Sequence, residues 1–204
     1  MRSLLLLSVF VWLVAVGCGV FYLTRFENTA AETNIAYPAA FPTESRLDRD
    51  PKLPTLLFFA HPKCPCTRAG LHELARLMTD IDGKVKAYVV FIKPTDESDE
   101  WASTDLLAIA EAIPNVQVVI DRDERETKIF NAQTSSTTLL YDGDGNLRFN
   151  GGITASRGHE GDNAGRTSIF EIVTANDKKN AETLVFGCPL HKKDCPGELM
   201  ETAK

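Results

Sequence analysis

The stretch Phe58-Phe59-Ala60-His61-Pro62-Lys63-Cys64-Pro65-Cys66-Thr67-Arg68 decides how this chain reads. An apolar run from Leu56 to Ala60 enters it behind Pro54. A short run without polar interruption suits a strand buried on both faces. Beyond Cys66, Leu71, Leu74, Ala75 and Met78 stand at i, i+3, i+4 and i+7, with His72, Glu73, Arg76 and Thr79 off that stripe. The spacing predicts an amphipathic helix over 67–79. Cys64 and Cys66 therefore sit at a strand-to-helix junction, a poor place to bury inert thiols.

Working outward, Val85–Ile92 and Val116–Ile120 are two more apolar runs of strand length. Between them Leu106, Ile109, Ala110 and Ile113 repeat the helical spacing, and Pro114 stops that helix. A short polar helix is expected over Glu124–Phe130. Thr138–Tyr141 and Leu147–Phe149 flank Asp142-Gly143-Asp144-Gly145-Asn146 and predict a hairpin. That turn is not a calcium loop: its sixth position is Leu147 rather than Gly, and its twelfth is Ile153 rather than Glu. A last helix is expected from Asn163 to Ala175, with Ile169, Ile172 and Val173 on one face. The order β-α-β-α-β-α-β-β-α implies a parallel core with antiparallel edge strands.

The chain has 204 residues, enough for one domain of ordinary size once its N-terminus is set aside. Its formal net charge of −6 argues against a nucleic-acid partner, whose phosphates would be repelled. Residues 3–24 carry no charge, and ~20 apolar residues suffice to cross a bilayer core. Arg2 before the run, and Glu27 and Glu32 after it, favour an anchor with its N-terminus inside, weakened by Arg25. A lipoprotein site at Cys18 and a cleaved signal peptide are the alternatives. Both fit less well, because the apolar run continues past Cys18 to Leu23. The division is 1–25 as transmembrane anchor, 26–50 as a linker lifting the domain off the membrane, 51–180 as the domain, and 181–204 as a cysteine-containing C-terminal segment.

The strand, the cysteine motif and the helix resemble the active-site junction of the thioredoxin superfamily, and Thr137-Thr138-Leu139-Leu140-Tyr141-Asp142-Gly143-Asp144-Gly145 resembles its second landmark. Membrane-tethered bacterial members, and a RedB-like subgroup, are the nearest in character. The resemblance covers residues 51–175. It implies an α/β thioredoxin-like fold, a central mixed sheet flanked by helices, behind an N-terminal transmembrane helix. Two departures stand out. The motif is C-x-C instead of C-x-x-C, so either Cys64 takes the nucleophile's place or Pro65-Cys66 matches the family's Pro-Cys. Thr137 stands where the family carries a cis-proline; a non-proline cis bond costs ~3 kcal/mol, so a trans bond is expected there.

Thiols react as thiolates, which helix N-termini and nearby cations favour. Cys66 is expected in the first helical turn, with Lys63, Arg68 and His61 supplying positive charge. A Cys64–Cys66 disulfide would be small and strained, hence oxidising. No cofactor is required by this chemistry. Cys64, Cys66 and His61 are also soft ligands suited to copper or zinc, though C-x-C alone does not complete a site.

The polar loop 151–166 is expected to overhang the two cysteines, with Arg157 and His159 available to an anion, a thiolate or a metal. A plain solvated loop is the equal alternative. Leu184, Val185 and Phe186 imply that the C-terminal segment docks. Cys188 and Cys195 then form a structural disulfide, or Cys188 resolves a disulfide at the active site or completes a metal site, or both are inert. The favoured function is a membrane-anchored thiol–disulfide oxidoreductase acting on protein thiols or disulfides outside the cytoplasm. A copper-binding chaperone and a thiol peroxidase are the alternatives.

Overall fold

The computed structural model describes residues 2–175 and 179–191. Its first helix, α1 (Arg2–Glu27), buries no residue, and its mean hydropathy over an 18-residue window is 2.6. It is long and apolar enough to cross a membrane.

The domain follows in the order β1 (Thr55–Ala60), α2 (Pro65–Ile81), β2 (Lys86–Lys93), α3 (Asp99–Ala102), α4 (Asp105–Glu111), β3 (Val116–Arg122), α5 (Arg125–Ile129), β4 (Thr138–Tyr141), β5 (Leu147–Gly151), α6 (Ala164–Ala175) and β6 (Ala181–Glu182). The expected alternation is present, with α3 and β6 in addition. The strands form one mixed sheet in the order β3-β2-β1-β4-β5-β6. β1 and β2 are parallel, as are β2 and β3, while the β4–β5 hairpin runs antiparallel beside β1.

β1 is central, and all six of its residues are buried. Its alternate side chains divide between two cores, as the pleat requires. Leu56, Phe58 and Ala60 face a core shared with Leu71, Leu74 and Met78 of α2, Leu106 of α4, and Ile169 of α6. Leu57 and Phe59 face the other side, among Tyr88, Phe130, Tyr141 and Leu190. Full burial of each such side chain contributes about 1.5–3 kcal/mol.

The second core is closed without a long helix. Residues 26–50 are expected to lift the domain clear; instead the chain from 28 to 54 lies along it as a strap. Tyr37, Phe41 and Leu47 join the second core, and the Phe41 ring stands edge-on to Phe130 and Tyr141, 5.2 Å from each centroid. The Tyr141 hydroxyl donates to Pro38 O, the Tyr88 hydroxyl to Asp48 O, and Asn131 Nδ2 to Ala36 O. The linker reading is corrected on these contacts: a segment with three apolar side chains and this many backbone bonds to the domain is bound to it. The boundary near 180 also moves, since β6 pairs with β5 and the chain beyond it docks.

Candidate functional site: three cysteines at the start of α2

Pro65 opens α2 at its first position, where its fixed φ suits a helix and its missing N–H leaves nothing unsatisfied. The helix thus begins two residues earlier than periodicity suggests. Cys64 is its N-cap, in extended conformation, and Cys66 lies in its first turn. Both are buried, Cys64 completely. The third member of the cluster is Cys188, brought by the C-terminal segment. Its Sγ lies 2.8 Å from Cys64 Sγ.

Cys66 shares its proton with Cys188 and then Cys64; these contacts, burial and the charge its neighbours would carry all push its thiol far above the ordinary range.

Hydroxyls hold the loop beneath these sulfurs. Ser135 Oγ accepts the His61 N–H at 3.0 Å and lies 2.7 Å from Thr67 Oγ1, which itself donates to His61 O. Ser135 therefore donates to Thr67, and the three groups close a ring joining α2, the active-site loop and the approach to β4. Thr67 and Ser135 were missed in the sequence, because buried hydroxyls leave no periodic mark. His61 is fully buried; its Nδ1 accepts the Lys63 N–H, and its ring stands edge-on to Trp101. Lys63 Nζ lies over the Trp101 ring, and Arg68 pairs with Asp105 at 2.5 Å. The positive charge that the sequence offered to the thiols is thus directed toward α3 and α4.

Thr137 is buried; its N–H donates to Thr134 O and its carbonyl accepts from Phe59. No peptide bond is cis among the described residues, so the bond at Thr137 is trans, as expected.

The loop 151–166 takes a different course from the one expected. Glu73, placed by periodicity on the exposed side of α2, is completely buried. Its carboxylate receives Arg76 at 2.5 Å, the Gly161 N–H at 2.8 Å, Asn163 Nδ2 at 3.2 Å and Arg166 Nε at 3.4 Å. Glu160 meets His72 and Arg76 on the same helix, which holds its carboxyl below the usual range. The loop is therefore fastened to the side of α2. His159 is exposed, and its Nδ1 donates to Arg157 O.

Arg157 reaches toward the site, but not to a sulfur. Its Nη1 donates to Gly187 O at 2.6 Å, one residue before Cys188; its Nε donates to Thr29 O, and its guanidinium lies over the Phe26 ring. One side chain thus ties the end of α1, the start of the strap and the cysteine-bearing segment together. Val185 and Phe186 dock as expected, while Leu184 is half exposed. Cys195 lies outside the described residues.

Among the described residues no group of three or more His, Cys, Asp or Glu is arranged to hold a metal ion.

No family model matches this chain, and no curated protein matches it. Solved structures do. An uncharacterised conserved protein of Geobacillus kaustophilus superposes with a TM-score of 0.64 at 18% identity, covering 82% of this chain and 98% of that one. A hypothetical protein of Sinorhizobium meliloti gives 0.57 at 17%, covering 80% and 97%. A secreted Mycobacterium tuberculosis disulfide oxidoreductase gives 0.44 at 17%, covering 62% and 83%. The sheet order β3-β2-β1-β4-β5 and the cysteines at the β1–α2 junction make the fold thioredoxin-like.

Proposed function

We propose that this chain is a membrane-anchored thiol–disulfide oxidoreductase whose exchange centre is Cys64, Cys66 and Cys188. The carrying observation is the 2.8 Å approach of Cys188 Sγ to Cys64 Sγ beside Cys66. The place of Cys64 at the N-terminus of α2 favours negative charge on its sulfur. In one direction, a thiolate of the centre attacks a protein disulfide, forming a mixed disulfide and releasing one substrate thiolate. A second thiolate of the centre then attacks the mixed disulfide and releases the other. The centre loses two electrons and two protons, the substrate gains both, and the reverse direction oxidises a dithiol. An N-inside anchor would place the centre outside the cytoplasm, where such exchange persists.

The test is an anaerobic titration of the full chain in detergent against thiol/disulfide buffers, with and without Cu(I). A reversible two-electron couple that needs no metal, and is lost in Cys64→Ser, is expected. Thiols that refuse to cycle but bind one Cu(I) tightly would replace this reading with the copper chaperone. Turnover of peroxide through a sulfenic acid would replace it with the peroxidase.

A further inference from the structure

A cysteine that must meet another sulfur is aimed by the two peptide planes on either side of it, because each plane is rigid and its hydrogen bonds fix its tilt. Both planes flanking Cys188 are held. On the C-terminal side, the Cys188 carbonyl accepts the Ser135 N–H at 2.8 Å. On the N-terminal side the carbonyl is that of Gly187, which accepts Arg157 Nη1 at 2.6 Å. A bond from an ionised donor is roughly twice as strong as a neutral one. Gly187 brings no side chain of its own to hold that plane. The guanidinium is in turn aimed from one place. Its Nε donates to Thr29 O at 3.1 Å, its Cζ lies 5.2 Å from the Phe26 ring centroid, and the Arg157 N–H donates to Glu27 O at 3.0 Å. All three partners lie where α1 ends. Two residues beyond Thr29, the Ala31 N–H donates to Val185 O at 2.8 Å. The turn that leaves the apolar helix is thus built into the approach to Cys188.

We propose that Arg157 is the positioning residue for Cys188, and that the turn 26–29, by holding the guanidinium, makes the end of the apolar helix part of the exchange centre. The proposal rests on the exchange reading of the three cysteines. When glutathione disulfide oxidises the centre, Cys64 and one neighbour lose two electrons and two protons, one sulfur–sulfur bond forms within the chain, and two glutathione thiols leave. The neighbour is Cys66 or Cys188. Cys66 stands two positions from Cys64 and is near it by connectivity alone. Cys188 is 124 residues away and competes only while its peptide planes hold its sulfur in place. Arg157 therefore sets the ratio of the two bonds by keeping Cys188 concentrated at Cys64. It does so through the backbone, at Gly187 O, without touching a sulfur.

The test equilibrates the full chain in detergent with a glutathione buffer, quenches it with acid, alkylates the free thiols and counts Cys64–Cys188 against Cys64–Cys66 bonds by peptide mass spectrometry. Arg157→Ala is expected to lower that ratio about tenfold, which raises the midpoint of the Cys64–Cys188 couple by ~30 mV. Arg157→Lys keeps the charge but not the fork that spans Gly187 O and Thr29 O, and recovers part of the loss. Phe26→Ala lowers the ratio about threefold and stands in should Arg157→Ala fail to fold. Leu74→Ala, which weakens the fold away from the cysteines, leaves the ratio unchanged. An unchanged ratio in both Arg157→Ala and Phe26→Ala, or a fall in Leu74→Ala as large as that in Arg157→Ala, overturns the proposal. A fall in Arg157→Ala with none in Phe26→Ala overturns the part given to the turn. The rate of Cys188 alkylation in the reduced chain separates the two readings. A wild type without a couple, whose Cys188 is nonetheless alkylated more slowly than in Arg157→Ala, would remove the exchange reading and leave the positioning. Equal alkylation rates would remove the positioning as well.

Discussion

The two faces of the sheet are covered in different ways. On one, α2, α4 and α6 lay apolar stripes against Leu56, Phe58, Val89 and Phe91. On the other, α5, the strap and the C-terminal segment enclose Leu57, Phe59, Tyr88 and Val90, with irregular chain supplying Tyr37, Phe41, Leu47 and Leu190. The helical face secures the fold. Cys188 arrives on the chain that covers the irregular face, held by backbone bonds and by Arg157 rather than by a helix.

If the two faces differ in this way, their substitutions should differ in kind. Leu74→Ala, which empties a fully buried site between α2 and the sheet, is expected to cost about 2–5 kcal/mol in denaturant unfolding. Phe41→Ala, in the half-buried strap, should cost less, about 2 kcal/mol, because its site is partly open to solvent. A cost near zero would return the strap to the status of a free linker.

Glu73 sharpens the comparison, because it links the helical face to an irregular loop. Glu73→Ala strips the Gly161 N–H, Asn163, Arg76 and Arg166 of a shared acceptor and should cost about 1–3 kcal/mol. Hydrogen exchange should quicken at Gly161 while the thiol couple is preserved. Loss of the couple would make the loop part of the exchange centre after all.

The smallest effect concerns Asp142, in the hairpin turn near which the strap passes. Burial pushes its carboxyl up, but the Asn146 N–H, Arg148 and the Asn146 side chain prevail and hold it below the ordinary range. A carboxyl whose folded pKa is depressed adds stability above its ordinary value and loses it as pH falls through the folded value. The wild type should therefore lose stability against unfolding on acidification below about pH 4, and Asp142→Asn should flatten that part of the profile. An unaltered profile would mean that other carboxylates dominate it.

What could be read from the sequence follows the same division. β1, β2 and α2 announce themselves because continuous apolar runs and a 3.6-residue stripe are direct signatures of burial. Cys64 and Cys66 are legible because they fall where those two signatures meet. The strap was misread, since Tyr37, Phe41 and Leu47 have no period and sit among prolines. Glu73 was misread because periodicity assigns a carboxylate to solvent, whereas this one is buried among four donors. The contact of Cys188 with Cys64 spans 124 residues, and no local pattern reports it.

The account is tested most directly by mapping disulfides in the full chain after equilibration with a glutathione buffer poised near the midpoint of its own couple. Peptide mass spectrometry should find Cys188 joined to Cys64 or Cys66, in a fraction that falls as the buffer becomes more reducing. A Cys188–Cys195 bond that persists across the whole series, with Cys64 and Cys66 alkylated as unreactive thiols, would contradict it.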